Sequence, residues 1–126
     1  MNNTIRCEAS EGFLRVEAWG DYCLGAAKTL AAEVRERCRA LGQIRVLVDI
    51  TRVQGPIPAP DRYEIGVLCA EILGHVRLAL LARPDQITRL FEDVARNRGM
   101  AARIESDTAA AVAWLRQAPA PLRGAA

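Results

Sequence analysis

Residues 44–50, IRVLVDI, narrow the choice of folds more than any other segment of the sequence. The run is rich in β-branched residues, which favour strands, and it is almost continuously apolar. A strand with one face in water alternates apolar and polar side chains, whereas a strand covered on both faces has no need to alternate. The segment therefore predicts a central strand in a sheet that other elements cover.

The segments on either side change between the two hydrophobic periods that distinguish strands from helices. Residues 4–9 and 13–19 alternate apolar and polar side chains and predict a β-hairpin, in which Leu14, Val16 and Ala18 share one face. The other predicted elements are helices at 21–42, 60–74, 84–99 and 106–116 and strands at 44–50, 76–82 and 100–105. This order, ββαβαβαβα, predicts an α/β fold with a mixed, mostly parallel sheet and an N-terminal β-hairpin.

Local signals indicate where two of these helices begin. Asp61 is a favourable N-cap residue, and Glu64 stands three positions later, as in a capping box. Pro84 suits the first turn of a helix, because a proline lacks the backbone N–H that the first turn leaves unpaired. We therefore expect Asp61 to introduce the second helix and Pro84 to open the third.

The size of the chain indicates a single domain. A chain of 126 residues buries roughly two-thirds of its unfolded surface around one core. We expect this domain to span residues 1–116 and residues 117–126 to form a flexible tail. A net charge of +2, with both signs interspersed, does not favour binding to nucleic acid. Abundant alanine, with Lys28 as the only lysine, indicates a GC-rich bacterial genome.

The cysteines and the single histidine give no sign of a metal site or of a disulfide framework. Cys7, Cys23, Cys38 and Cys69 lack a C-x-x-C spacing, and His75 is the only histidine. We expect reduced, mostly buried thiols, no metal and no cofactor. No nucleophile has a base at a recognisable position and no G-x-G-x-x-G follows a strand, so we expect no enzymatic activity. With no apolar signal segment or bilayer-spanning run, we expect a cytoplasmic protein without membrane insertion.

The candidate functional site is the stretch DITRVQGPIPAPDRYEIG, which leaves the central strand, crosses a proline-rich loop and enters the second helix. Ligands of open α/β sheets collect beyond the carboxyl ends of the strands, and we expect the next such loop to bring Arg83 and Asp85 nearby. The candidate surface for a partner or ligand consists of Asp49, Thr51, Gly55, Pro56, Ile57, Asp61 and Arg62. In one interpretation, Gly55 and Pro56 shape a backbone that a partner recognises, and a small polar cleft is lined by Asp49, Thr51, Asp61 and Arg62. In the other, Asp49 and Arg62 tie down a rigid loop whose prolines lower its entropy.

The order of elements, with VLVDI in the third strand and RP before the third helix, resembles the STAS domain of sulfate transporters and anti-sigma-factor antagonists. GPIPAPDRYEIG and ARPDQITRLFEDVARNRG are similar to segments of stand-alone bacterial STAS-like proteins. The resemblance implies a non-enzymatic regulatory module that binds a protein partner or forms a homodimer. It also implies a phosphorylated serine or threonine just after the third strand. Because no such residue occurs from Val53 to Gly66, we do not expect the usual switch, and Thr51 is the remaining candidate phosphosite.

A second hypothesis is a carrier of a small apolar or anionic ligand at the strand-end cleft. Lipid-transfer domains with a similar sheet-and-helix core need an apolar cavity for this function. In a chain of 126 residues, the apolar stripes of the helices barely suffice to cover the sheet. We therefore do not expect a large empty pocket.

Overall fold

The structure is a computed structural model that describes residues 4–10 and 12–117. It contains five strands and four α-helices in the predicted order. The strands are β1 (Thr4–Ser10), β2 (Phe13–Asp21), β3 (Arg45–Gln54), β4 (Arg77–Leu81) and β5 (Ala102–Glu105), and the helices are α1 (Leu24–Leu41), α2 (Ala59–Leu73), α3 (Arg89–Asn97) and α4 (Thr108–Leu115). Residues 118–126 of the predicted tail lie outside the described residues, so the boundary between domain and tail stays a prediction.

The strands form one sheet, in which their order in space follows their order in the sequence. β1 and β2 are antiparallel, and each later strand runs parallel to the strand before it. β3 lies at the centre, and Val46, Leu47 and Val48 are almost fully buried, as the apolar run predicts. The predicted α/β class, the mixed sheet and the N-terminal hairpin are therefore confirmed.

The helices divide unequally between the two faces of the sheet. Crossovers between parallel strands are almost always right-handed, and those through α1, α2 and α3 all advance in the same direction across the sheet. These helices consequently share one face, the three-helix face, where they pack on Leu14, Val16, Val46 and Leu78. α4 follows β5, and within the described residues it leads to no further strand. This helix covers the opposite face, the α4 face.

The α4 face combines an apolar part with a charged part. Ala111 and Leu115 of α4 pack on Leu47, Ala79 and Leu81, and all five are buried. The apolar part therefore lies over β3 and β4, next to α4.

The charged part of the α4 face lies on β1 and β2. Arg15 Nε is 3.7 Å from Glu17 Oε2, and Arg15 Nη2 is 3.8 Å from Asp49 Oδ2. Arg6 Nη1 lies 3.9 Å from Glu17 Oε1 on the neighbouring strand. On the other face of β2, Leu14, Val16 and Ala18 are buried as predicted. The predicted common face of Leu14, Val16 and Ala18 is therefore confirmed, and it is the buried face of β2.

Except at its end, α1 follows the apolar stripe that the sequence predicts for the first helix, at Leu24, Ala27, Leu30, Ala31, Val34, Cys38 and Leu41. It begins at Leu24, and the Sγ atom of the N-cap residue Cys23 accepts a hydrogen bond from the Ala26 backbone N–H at 3.4 Å. It ends before Gly42, whose φ of 63° lies in the left-handed region that glycine adopts without strain. Leu41, which the pattern placed on the inner face, is 55% exposed.

The predicted start of α2 at Asp61 is wrong. The helix begins at Ala59, and its N-cap residue Pro58 makes no side-chain capping hydrogen bond. The Asp61 carboxylate instead accepts a hydrogen bond from the Tyr22 hydroxyl at 2.8 Å. The Asp61 side chain, which the local pattern predicted to cap the helix, therefore bonds to Tyr22 at the end of β2.

The predicted start of α3 at Pro84 is also wrong. Pro84 opens a 3₁₀ turn, Pro84–Gln86, and α3 begins at Arg89. The buried Gln86 side chain donates a hydrogen bond to the Ile50 carbonyl at 3.1 Å. Since this bond holds the turn against β3, the regular helix begins only after it.

Candidate functional site

The connection between β3 and α2 begins later than predicted, because β3 continues to Gln54 instead of ending near Ile50. Beyond the last pair with β4 at Asp49, β3 still pairs with β2 through Arg52, Val53 and Gln54. Thr51 is consequently a partly buried strand residue. We call residues 55–63, which comprise the loop and the first turn of α2, the corner.

Asp49 and Thr51 form a local hydrogen-bonded pair at the end of β3. Asp49 Oδ1 accepts one bond from the Thr51 hydroxyl at 2.6 Å and another from the Thr51 backbone N–H at 2.8 Å. A phosphate on Thr51 would break the hydroxyl bond and place negative charge beside this carboxylate. The arrangement therefore stabilises the unmodified side chain and disfavours the phosphosite hypothesis.

Arg83 and Gln86, on the connection after β4, fasten the extended end of β3. Arg83 Nη1 donates to the Thr51 carbonyl and to the Val53 carbonyl, the latter at 3.1 Å. Gln86 Nε2 donates to the Ile50 carbonyl at 3.1 Å and to the Val53 carbonyl at 3.2 Å. The prediction that Arg83 lies near this site is confirmed, and its observed contacts are to backbone oxygens that hold the strand in place.

Asp85 is also near the end of β3, but it points to solvent. Its carboxylate accepts a hydrogen bond from Arg83 Nε at 3.1 Å, and its side chain is 70% exposed. The hydrogen bond from Arg83 lowers the pKa of Asp85. Asp85 therefore orients the Arg83 guanidinium from its solvent side.

Arg62 holds the corner from inside. Its Nε donates to the Ile57 carbonyl at 2.9 Å, and its Nη1 donates to the Gln86 carbonyl and to the Thr88 hydroxyl. These bonds connect the loop before α2 with the turn after β4. The interpretation in which Arg62 ties the loop down describes these contacts, and the guanidinium does not point to a polar cleft shared with Thr51.

Asp61 joins the same corner to the end of β2 through the hydrogen bond from Tyr22. Burial, followed by this bond to the carboxylate, raises the pKa of Tyr22 because both effects favour the protonated phenol. Tyr22 therefore remains a hydrogen-bond donor throughout the physiological pH range, and it connects β2 with α2.

Thr51 and Arg62, two of the four residues predicted to line a polar cleft, border different spaces. Thr51 borders an open surface cleft of about 460 Å³ whose other lining residues include Trp19, Arg52 and Arg83. Ile57 and Arg62 line a separate apolar cavity on the three-helix face. The extended β3 lies between these two spaces. The order of residues in the sequence does not predict this separation.

Exposure identifies the part of the corner that a partner can touch. Gly55 and Pro56 are exposed, as are residues 58–60, whereas Asp49, Thr51, Ile57, Asp61 and Arg62 are partly buried. Tyr63, which the sequence interpretation missed, is 45% exposed, and among the described residues it joins Leu41 and Ile44 as a large apolar side chain on the surface. Its position on the outer side of the first turn of α2 was the available signal, since an aromatic residue outside the apolar stripe faces solvent.

The described residues offer no arrangement typical of metal chemistry. No group of three or more histidine, cysteine or acidic side chains in this part of the chain could hold a metal ion. His75 is an exposed residue between α2 and β4, away from the corner. No helix within residues 4–10 and 12–117 is both long and apolar enough to cross a bilayer.

The four cysteines are unpaired thiols in different environments. Cys38 and Cys69 are buried, Cys7 is partly buried and Cys23 is exposed. Burial raises the pKa of Cys69 to about 12, which keeps this thiol protonated and unreactive. The expectation of buried thiols is therefore confirmed for two of the four.

No family model and no curated protein matches this chain. Among solved structures, the fold is similar to the crystal structure of an anti-sigma factor antagonist from Mycobacterium paratuberculosis, with a TM-score of 0.60. The superposition covers 92% of this chain and 96% of that chain, at 14% sequence identity. The chain folds as a STAS-like domain. The fold that the sequence resemblance implied is thus confirmed over nearly the whole chain.

Proposed function

We propose that this STAS-like domain is a non-enzymatic interaction module that binds a protein partner, or a second copy of itself, through the corner. The partner contacts the exposed residues of the corner, which are Gly55, Pro56, residues 58–60 and Tyr63. The other predicted site residues act from beneath, where Asp61 and Arg62 fix the position of α2, and Asp49 and Thr51 fix the end of β3.

The observation that carries this proposal is an exposed, mostly uncharged surface on a firmly held backbone. Tyr63 is 45% exposed, and aromatic side chains that can be covered on binding contribute strongly to interfaces. The backbone of the corner is held by three prolines and by the hydrogen bonds of Arg62 and Asp61. A surface that is already ordered loses little conformational entropy on binding, so more of the contact energy appears as affinity.

The structural comparison supports the same proposal. The name of the similar protein, an anti-sigma factor antagonist, denotes a protein that acts against another protein. A shared fold permits other functions, so the assignment rests on the surface of this chain. Because residues 53–66 contain no serine or threonine, the proposed interaction operates without a phosphoserine switch at the corner.

The test compares two variants that introduce the same residue on different exposed surfaces. Tyr63→Arg places a charge in the corner, and Ala32→Arg places one on the outer side of α1, where Ala32 is exposed. Each tagged protein is used to capture partners from a lysate of the source cells, with recovery quantified by mass spectrometry. We expect at least one protein to be recovered equally with wild type and Ala32→Arg and about tenfold less with Tyr63→Arg.

Circular dichroism and thermal unfolding establish that both variants keep the fold, since neither position is buried. Light scattering of the purified chain shows whether the partner is a second copy. If every captured protein is recovered equally with all three chains, the corner is not the interaction surface.

A further inference from the structure

A cavity of about 110 Å³ lies between α1, α2 and the three-helix face of the sheet. The side chains that line it include Ala27, Leu30, Val48, Ile65 and Leu80. It extends beneath the corner, where Ile57 and Arg62 form part of its wall. This space is smaller than the pocket of a typical ligand carrier but larger than an ordinary packing defect.

The partial exposure of Leu80 shows that the cavity reaches the surface of the sheet at β4. Leu80 lies on β4, and its direct neighbours on the adjacent strands, Val48 and Ile104, are 4% and 5% exposed. Leu80 itself is only partly buried, although strands flank it on both sides and helices cover its face. Its accessible surface therefore opens into the cavity.

Small side chains on α1 leave the space unfilled. Ala26, Ala27 and Ala31 all line it, within a stripe whose other members include Leu30 and Val34. Larger residues at the alanine positions would extend into the cavity. The helix is held away from the sheet by its leucine and valine side chains, and the alanines between them do not reach across.

The cavity has no chemistry that would retain water. A buried water needs about two to four polar partners. The polar side chains in the wall are already engaged: Tyr22 with Asp61, Arg62 with Ile57 and Gln86, and Gln86 with the end of β3. Within the described residues, no buried side-chain nitrogen or oxygen lacks a hydrogen-bond partner. An occupant would therefore be held by apolar contact alone.

We propose that this cavity binds a single small apolar molecule, about the size of benzene or smaller. An engineered apolar cavity of about 150 Å³ stays dry and admits benzene or xenon, so a cavity of about 110 Å³ accommodates a compact hydrocarbon group. Such a site is distinct from the proposed protein interaction, because it lies inside the domain and none of the exposed corner residues assigned to partner contact lines it.

The cavity is reachable from solvent at the start of α1. Cys23 belongs to its lining and is exposed, and Ala26 and Ala27 are partly exposed. A small ligand can therefore enter beside the first turn of α1 without global unfolding.

The direct test is a titration of the isotopically labelled full chain with benzene, followed by methyl NMR. We expect saturable shifts for methyl groups in the wall, such as those of Leu30, Ile65 and Leu80. Methyl groups of Leu47 and Leu115, which pack on the α4 face, serve as internal controls and should not shift. Hexane as a second probe shows whether an elongated chain also fits.

Matched leucine substitutions on α1 locate the site. Ala27→Leu fills the cavity and should weaken benzene binding about tenfold or more, whereas Ala32→Leu adds the same atoms on the exposed side and should leave it unchanged. If Ala27→Leu does not fold, Ala26→Leu provides the same test nearer the entrance.

Two results would overturn the proposal. One is the lack of a saturable shift at the wall methyl groups up to the solubility limit of benzene. The other is equal binding by wild type and by a folded cavity-filling variant, since binding would then occur elsewhere.

Discussion

The two faces of the sheet use alanine in opposite ways. On the α4 face, Ala79 of β4 and Ala111 of α4 are both fully buried, because the small side chains let the short helix approach the strand closely. On the three-helix face, Ala26 and Ala27 of α1 border a cavity. The same residue therefore permits close packing or leaves space, depending on whether larger neighbours hold the two elements apart.

The largest expected difference between the two faces is in the free energy of unfolding that is lost when a leucine is replaced by alanine. Leu47 is 0% exposed at the centre of the α4 face, so Leu47→Ala should lower the free energy of unfolding by roughly 2–5 kcal/mol. Leu80 already borders a space, so Leu80→Ala should cost about half as much. Urea unfolding of both variants measures the difference, and equal losses would contradict the distinction between the faces.

Adding volume should show the reverse order. Ala111→Leu inserts three carbon atoms into a fully packed contact and should destabilise the fold by about 1–3 kcal/mol. Ala27→Leu adds the same atoms next to the cavity and should leave the stability unchanged or raise it. The measurement is the urea concentration at the unfolding midpoint, compared between variants whose unfolding free energy has the same dependence on urea. If Ala27→Leu loses as much stability as Ala111→Leu, the cavity cannot hold the added side chain.

The three-helix face is also closely packed at one place, between α2 and α3. A Cβ atom added at Gly66 would lie 2.9 Å from Val94 Cβ and 3.2 Å from the Phe91 carbonyl oxygen. Gly66→Ala should therefore cost about 1–2 kcal/mol, because the helices must separate. Gly25→Ala is the control, since a Cβ atom there meets nothing within 4 Å. Similar thermal stabilities for the two variants would show that α2 and α3 separate readily.

The smallest effect should come from the charged part of the α4 face. Arg15 is 25% exposed and lies 3.7 Å from Glu17 and 3.8 Å from Asp49. Arg15→Gln should lower the free energy of unfolding by less than about 1 kcal/mol, because water screens such pairs. The loss should shrink further in high salt. A salt-independent loss would indicate that Arg15 contributes through packing instead of charge.

Local patterns predicted most of the architecture. The apolar run around Val46 and Val48 predicted the buried central strand, and the change of period along the chain predicted the order of the strands and α-helices. These predictions succeeded because hydrophobic periodicity is set by neighbouring residues, and the sheet and helices bury the faces that it marks.

Element boundaries depended on distant residues. The bond that takes Asp61 away from capping comes from Tyr22, 39 positions earlier. The bond that holds Gln86 in a 3₁₀ turn reaches Ile50, 36 positions away. β3 continues past Ile50 because β2 supplies pairing partners there. No local pattern contains these partners, so the starts of α2 and α3 could not be read from it.

The sequence by itself determined the α/β class, the STAS-like order of elements and a corner without serine or threonine, because these features depend only on which residues follow one another in the chain. Tertiary structure alone decided that Thr51 lies in a strand and bonds to Asp49, and that Tyr63 is the exposed aromatic of the corner. It also decided that a local cavity lies between α1, α2 and the sheet. These features depend on the distance between packed elements, which is set by the side chains that meet across the core.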